Sequence, residues 1–390
     1  MKSLSVEDRL SFIRRVAALG FLLGMLLTPG LWFQERLYPE IPLFSWLPEL
    51  PLPVKFVGFL FFLFFLSALS AFKLRSPVGI VFSILWVCYS TFDISRWMPF
   101  FYLYLFILLA LFWPQKSESR NVDTLNAIRL VILSVYFWSG FHKLNATFLL
   151  HGFPSLHETF HESLPPLVKH VLVLSGPLAA LGELLLPFLL LSQRFRSFGV
   201  LGVIFMHSCI LLMLGPLGQN FNSAVWPWNI AMMLFVVLAF SGCRELDLKM
   251  TLFKRKNLLS LMFFFVLGIL PFLNCFGLWP SYFSHSLYSY QTEKAFVLLK
   301  RERLSSLPRV LQQKVTDSRG EKAALDVNTI SYEMNNVPAF PSERVFRAVG
   351  RYYCLRYPAI VVGVLIGPQP DRFTGEVDYH EFSCETISDE

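Results

Sequence analysis

The sequence has no internal repeat and no low-complexity tract, and only 16% of its 390 residues are Asp, Glu, Lys or Arg. The absence of a repeat excludes a solenoid or a propeller array. Apolar residues are abundant instead, since 54% of the chain is hydrophobic and 41 residues are phenylalanine. This is more than a soluble core of the same size needs. The composition therefore predicts a polytopic membrane protein.

Apolar runs recur along the first two thirds of the chain, and each is long enough to cross about 30 Å of hydrocarbon. The two runs that begin at residues 76 and 99 are short and open to a partly re-entrant reading. The first run is of full length and lacks a clear cleavage site after it, so we expect an anchor that is not removed. We predict about nine transmembrane helices, at residues 12–33, 54–74, 76–92, 99–114, 125–143, 166–192, 197–217, 224–241 and 257–279.

Positive charge orients these spans, because Lys and Arg in short loops favour the cytoplasmic side. The basic segments are "RRV", "KLR", "KSESR", "RFR" and "RELDLKMTLFKRK", and they fall on alternate connections. We therefore expect the amino terminus inside and the carboxy terminus outside. Residues 281–390 carry 13 Lys and Arg against 14 Asp and Glu, so the basic excess lies wholly in the membrane part. That distribution predicts contact with membrane lipids and no binding of nucleic acid.

The composition changes from phenylalanine-rich to mixed near residue 281, which divides the chain into a membrane domain, 1–280, and a second domain, 281–390. The runs "KAFVLLK" and "AIVVGVLIG" predict strands, and apolar residues at helical spacing after Ser342 predict a helix. We expect a small extracytoplasmic α+β domain. Cys354 and Cys384 are its two cysteines, and outside the cell we predict that they form a disulfide.

Ionisable and polar groups inside the apolar runs mark candidate functional positions, because burying them in hydrocarbon costs several kcal/mol. Glu183, His207 and Asn229 are such groups. Each also has a plainer interpretation: a neutral carboxyl bonded to a neighbouring helix, a histidine satisfied in the core, and an amide that joins two helices.

Lys143 ends the stretch "SVYFWSGFHK" and has two alternative interpretations. It is an anchor if its ammonium reaches the interface and the carbonyl-rich end of its helix. It is a base if apolar walls, for which Tyr136 and Phe137 are candidates, disfavour its charge. His142 lies beside it in sequence but about 100° away around a helix.

The segment "HETFHE" contains His157, Glu158 and His161 in the HExxH pattern of zinc sites. A helix there is predicted to be only about two turns long, with Ser155 and Glu158 as a capping box and a stop at Pro165. No third ligand is at a familiar spacing, so an interfacial loop helix is our prediction and a zinc protease the weaker alternative. We expect no metal.

The stretch "VYFWSGFHKLNATF" resembles the hallmark motif of the vitamin K-dependent γ-carboxylase and its bacterial relatives, the HTTM membrane family. The resemblance covers residues 90–220, and the rest of the chain is less similar. The family's Asn-His pair is Pro99-Phe100 here, which removes the histidine that assists its lysine. The matching positions are Tyr136, Phe137, Gly140, Lys143, Leu144 and Ala146, joined by Asn126, Arg129, Asp93, Trp97, Tyr102, Leu103, Tyr104 and His207.

The resemblance implies chemistry at the outer face of a bacterial inner membrane, in which a lysine deprotonates a reduced quinone so that a peptide glutamate can be carboxylated. It implies Lys143 as the base, with His142 and His207 as further catalytic candidates. Trp97, Arg129, Tyr136, Glu183 and Asn229 are the candidates for binding a lipid-soluble substrate. A peptide or periplasmic protein is a further expected partner. The alternative function is a non-enzymatic scaffold or transporter-like protein.

Overall fold

The structure is a computed structural model that describes residues 4–33, 36–73, 76–113, 120–161, 164–242, 258–317 and 322–388. Helices predominate, and each of the nine predicted apolar runs contains one. Their bounds are α1 Val6–Leu26, α2 Leu52–Ala71, α3 Ser76–Ser90, α4 Pro99–Phe112, α5 Arg120–Lys143, α6 Phe153–Leu156, α7 Glu158–His161, α8 Pro166–Leu174, α9 Gly176–Leu191, α10 Arg196–Leu214, α11 Trp226–Phe240 and α12 Leu258–Phe263.

Within the described residues, five helical segments are long and apolar enough to cross a membrane. A sixth is added if α8 and α9, which meet at an angle of 43°, form one broken span. Helices α3 and α4 are shorter, with 15 and 14 residues. The five segments are α2, α5, α10, Ser223–Phe240, which contains α11, and Leu258–Phe276, which begins with α12.

Helix α1 packs against α2, α4 and α11. Its side chains Ile13, Ala17 and Phe21 are fully buried. Gly20 sits against the ring of Tyr104, where a Cβ would come within 2.2 Å of the tyrosine oxygen. A glycine is therefore what permits this close approach of α1 and α4.

The carboxy-terminal part is an α+β unit with one antiparallel sheet in the order β2-β3-β1-β4-β5. Strand β1 coincides with the predicted "KAFVLLK", β4 with most of "AIVVGVLIG", and the helix predicted after Ser342 is present. The strands are β1 Lys294–Lys300, β2 Val315–Asp317, β3 Lys322–Asp326, β4 Val361–Gly367 and β5 His380–Ser383, and the helices are α13 Arg309–Gln312, α14 Val327–Asn335, α15 Glu343–Arg356 and α16 Cys384–Ser388.

This α+β unit packs on one end of the helical bundle. Asn336 Nδ2 donates to the carbonyl of Leu27, just past α1, at 2.9 Å. Arg372 Nη2 donates to the carbonyl of Phe141, near the end of α5, at 2.7 Å. The C-terminal ends of α1 and α5 therefore face the α+β unit, and Lys143 lies close to the junction.

Candidate functional site

Lys143 ends α5 as half of an ion pair with Glu183 of α9. Its Nζ lies 2.9 Å from Glu183 Oε2, and the two side chains are 13% and 11% exposed. The same Nζ donates to Ser139 Oγ, one turn earlier, at 2.6 Å. Both charges are thus largely removed from solvent, which makes a close partner necessary for each of them.

The pair forms because α5 and α9 approach closely at Gly140. A Cβ on Gly140 would meet the backbone nitrogen of Leu184 at 2.4 Å, so a larger residue would push the helices apart. Tyr136, Ser139, Gly140 and Lys143 recur at helical spacing and therefore share one face of α5. That face is directed at α9, and it puts the lysine beside the carboxylate.

A second polar group lies on the same side of α5. Tyr136 Oη and His207 Nε2 are 2.9 Å apart, and His207 Nδ1 is 2.7 Å from Asn229 Oδ1. Asn229 Nδ2 donates to the carbonyl of Val225 at 2.8 Å. Because Asn229 accepts at Oδ1, the geometry assigns the proton of the neutral imidazole to Nδ1 and leaves Nε2 to accept from Tyr136.

The two groups form one cluster, which we call the polar cluster: Lys143, Glu183, Tyr136, His207 and Asn229. Glu183 is close enough to act electrostatically on both Tyr136 and His207, and Lys143 acts on His207 as well. The five residues come from α5, α9, α10 and α11, and all five were candidates from the sequence. Close polar contacts join Lys143 to Glu183 and Tyr136 to His207, so a proton can pass within each of these two pairs.

Sequence reasoning missed Ser139, the hydroxyl that contacts the Lys143 ammonium. The signal was present, since Ser139 lies four residues before Lys143 and such pairs are neighbours on a helix.

Three further candidates lie outside the polar cluster. His142 is buried against Trp138, with ring centroids 5.8 Å apart. Helix α5 continues through Lys143, so His142 faces away from the lysine and does not share a site with it. Arg129 donates from Nε to the carbonyl of Ala239 at 2.8 Å, and Trp97 donates to the carbonyl of Ser90 at 3.1 Å. Arg129 and Trp97 thus hydrogen-bond to backbone carbonyls of other segments.

The HExxH segment does not form the single helix that a zinc site requires. Helix α6 ends at Leu156 and α7 begins at Glu158, so the helical conformation is interrupted at His157. His157 is buried, with Nδ1 2.8 Å from the carbonyl of Phe153. Among the described residues, no group of three or more His, Cys, Asp or Glu is placed to hold a metal ion.

The predicted capping box is wrong, because Ser155 is a helical residue of α6 and α7 begins only at Glu158. Its hydroxyl donates to the carbonyl of Gly152 at 2.8 Å and contacts the hydroxyl of Tyr290 at 2.7 Å. Glu158 is exposed at the start of α7. The segment predicted as one helix is thus divided between α6 and α7 among the described residues.

The predicted disulfide is confirmed. Cys354 of α15 and Cys384, the first residue of α16, are bonded, with Cα atoms 5.6 Å apart. Free cysteines within the described residues are Cys88, Cys209 and Cys275. Cys243 lies outside the described residues.

The apolar helices, the buried polar cluster between them and the attached α+β unit define an integral membrane protein. Comparison of the chain with protein-family models, with curated proteins and with solved structures finds no match. The resemblance of residues 90–220 to the γ-carboxylase and the HTTM family therefore stays a prediction from the sequence.

Proposed function

We propose that the protein is a membrane enzyme in which Lys143 serves as a base toward a quinone-like or lipid substrate. The observation that carries this proposal is the shielded pair of Lys143 and Glu183 with His207 beside it. Catalytic acids and bases are commonly ionisable groups of this kind, partly buried and held by a specific partner.

Aromatic side chains on a different face of α5 from Lys143 offer a surface for a flat apolar ligand such as a reduced quinone. Phe137 and Phe141 stack with ring centroids 6.5 Å apart, and Phe137 meets Phe188 of α9 at 6.2 Å. Phe188 is 54% exposed and Leu185 53%, so this wall faces outward from the bundle. A lipid-soluble molecule reaches such a wall from the hydrocarbon without crossing water.

The chemistry assigned to the protein is proton transfer. Lys143 Nζ gives a proton to Glu183 Oε2, which leaves a neutral amine and a carboxylic acid, and the amine then accepts an acidic proton. The contact between Lys143 Nζ and Glu183 Oε2 at 2.9 Å provides the path for this transfer. His207 and Tyr136 supply a second proton path beside the carboxyl. A reduced quinone would supply the acidic hydroxyl and its reactivity toward oxygen.

The proposal includes the finer topology. We infer nine spans, with the amino terminus in the cytoplasm and the α+β domain outside, so that Lys143 lies near the outer face of a bacterial inner membrane.

Carboxylation of a peptide is a weaker part of the proposal. Phe100, which stands where the family has a histidine, is buried in α4 and offers no acid or base.

The test incubates purified protein in lipid nanodiscs with reduced quinones, oxygen and labelled bicarbonate. Quinone epoxide and incorporated label are measured separately. We expect Lys143→Met to lower product formation by about 10²–10⁴-fold, the usual contribution of a general base. Glu183→Gln should lower it as well, because the amide cannot take the proton.

The chain supplies a matched control. Lys55 pairs with Glu40 at 2.5 Å, and the two side chains are 14% and 15% exposed, close to the values for Lys143 and Glu183. Lys55→Met should leave turnover unchanged. Equal turnover in wild type and Lys143→Met would refute the proposal, and epoxide without label would restrict it to the oxygenation half.

A second function, a membrane scaffold in which Lys143 only ties two helices, is favoured by one observation. Both Ser139 and Glu183 already satisfy the ammonium. The double variant Lys143→Met/Glu183→Leu removes both charges and keeps the apolar contact. If the protein is a scaffold, this variant should fold and function as the wild type does. If the protein is an enzyme, the variant should fold but form no product.

A further inference from the structure

Two aromatic side chains are exposed on the connection between α1 and α2. Phe44 is 49% exposed and Trp46 76%, and their rings stack with centroids 5.7 Å apart and an angle of 16°. The backbone N–H of Leu47 donates to the carbonyl of Phe44 at 3.1 Å, which closes a turn. We call residues 44–47 the aromatic turn. Large apolar rings exposed together mark a surface that contacts another molecule or a membrane.

The aromatic turn is held beside the ends of two helices of the bundle. The backbone N–H of Leu43 donates to the carbonyl of Thr91, just past α3, at 2.7 Å. Glu40 pairs with Lys55, in the first turn of α2, at 2.5 Å. The aromatic turn therefore has a defined position next to both helix ends.

The outward faces of α2 and α3 show what medium lies beside the turn. Val57 and Phe64 of α2 are 65% and 76% exposed, and Val81 and Ile84 of α3 are 53% and 56% exposed. Helix α2 is long and apolar enough to cross a membrane, so hydrocarbon is the medium that suits these side chains. The aromatic turn lies at the end of this apolar surface and continues it.

The size and chemistry of the two rings favour lipid over a protein partner. Full burial of both rings would remove at most about 300–500 Å² from water, since an aromatic side chain buries about 150–250 Å². A stable protein interface needs about 800 Å² on each side. Tryptophan suits the boundary between hydrocarbon and water, because its ring is apolar and its N–H can bond to water or head groups. No residue of the turn is charged, so none opposes this placement.

We propose that the aromatic turn inserts Phe44 and Trp46 into the head-group region of the leaflet on the side of the α+β unit. Arg344, in the first turn of α15, donates from Nη1 to the carbonyl of Pro42 at 3.0 Å. The inserted turn therefore brings the start of α15 close to the membrane surface. None of these residues belongs to the polar cluster, so the proposal is independent of the proposed enzyme activity.

The test measures the medium around Trp46 by fluorescence quenching of the full-length protein in phosphatidylcholine nanodiscs. Emission from position 46 is the difference between the wild type and Trp46→Phe, which keeps an aromatic ring. Two reference proteins are built on Trp46→Phe. Phe64→Trp lies on the exposed face of α2, and Glu302→Trp replaces a side chain that is 77% exposed just after β1 of the α+β unit. Quenching is measured with lipids brominated on the acyl chain near the glycerol and, separately, with iodide in the water.

Brominated lipid should quench Trp46 more than it quenches the new tryptophan of Glu302→Trp, and iodide should quench Trp46 more than that of Phe64→Trp. Melting temperatures report the folding of each variant. Quenching of Trp46 by iodide alone would mean that its ring lies in water and would overturn the proposal. Quenching by neither agent would mean that protein, such as a second copy of the chain, covers the turn, and would overturn it as well. Quenching equal to that of Phe64→Trp with both agents would place the ring in the hydrocarbon core and would also contradict an interfacial position.

Discussion

His285 is buried at the junction of the bundle and the α+β unit with little to compensate a charge. It is 3% exposed, and its φ of +59° is a conformation that non-glycine residues adopt rarely. Its Nδ1 is 3.4 Å from the Tyr102 hydroxyl, and within the described residues its Nε2 has no partner. Burial lowers the pKa of His285 to about 3. The imidazole is therefore neutral in the folded protein at every ordinary pH.

This burial predicts a loss of stability in acid. In the unfolded chain the histidine pKa is about 6.5, so between pH 6.5 and 3 the unfolded state binds a proton that the folded state does not. Stability should be complete above pH 6.5 and fall as pH is lowered, by about 1.4 kcal/mol per pH unit well below that value. Unfolding in detergent, followed at pH 7, 6 and 5, measures the slope.

The control for this prediction is His285→Asn, because asparagine tolerates the left-handed backbone and does not titrate. The other titrating groups are common to both proteins, so the difference between the two slopes reports His285. Parallel pH profiles for the variant and the wild type would contradict the prediction.

At the residue scale the sequence predicted the members of the polar cluster better than their connections. Glu183, His207 and Asn229 stood out because each is polar within an apolar run, and Lys143 stood out through its motif. The sequence contained no information on which helix faces α5 at Gly140, so the pairing of Lys143 with Glu183 required the fold. For His142 the prediction was wrong in the other direction. It was a catalytic candidate because it precedes Lys143, but consecutive residues of a helix point to different faces.

At the element scale apolar length predicted where helices occur but not where they break. The run at 166–192 is two helices, α8 and α9, with a bend at Ser175. Pro177 explains the bend, since it lacks an N–H and its ring clashes with the carbonyl four residues earlier. Pro271 likewise stands in the 3₁₀ segment Leu270–Phe276, which continues the last run after α12. Hydropathy cannot register these breaks because the broken segments stay apolar.

The disulfide links two elements of the α+β unit and closes a loop of 30 residues. A bridge of that loop length restricts the unfolded chain and stabilises a domain by about 3–4 kcal/mol. We expect Cys354→Ser/Cys384→Ser to lower the free energy of unfolding of this unit by that amount. Denaturant titration of purified wild type and variant, with and without reductant, measures the difference.

Reductant should lower the stability of the wild type and leave that of the double variant unchanged, since the variant has no bridge to reduce. Mass spectrometry after alkylation shows whether the wild type is oxidised when isolated from cells. Alkylated thiols at both positions, or equal stabilities, would show that the bridge does not operate in the natural protein.

At the scale of the whole molecule, the contacts of the α+β unit show which helix ends lie next to it. Leu27 after α1, Phe141 in the last turn of α5 and Ser223 before α11 all contact it. At the other end of α1, an ion pair joins this helix to α2. Lys73, after α2, pairs with Glu7 at the start of α1, at 3.0 Å. Helices α1 and α2 therefore run in opposite directions.

The proposed nine-span topology leads to a prediction about sidedness, because Lys and Arg concentrate on cytoplasmic loops. Two single cysteines are introduced into a variant in which Cys88, Cys209, Cys243 and Cys275 are alanine. Thr374→Cys lies on the exposed surface of the α+β unit, and Lys73→Cys replaces a side chain that is 81% exposed on the opposite face. A membrane-impermeant maleimide should label Thr374→Cys in intact spheroplasts and Lys73→Cys only after lysis.

The two positions control for each other, since lysis must expose both and intact cells only one. Labelling of Lys73→Cys in intact cells would invert the orientation and place the polar cluster at the cytoplasmic face, which would remove the outer-face chemistry from the proposed function. Labelling of both cysteines in intact cells would mean that residues 73 and 374 lie on the same side of the membrane. The number of membrane passes between these two residues would then be even. Only the predicted pattern agrees with an oxidised Cys354–Cys384 pair, because a disulfide persists on the oxidising side.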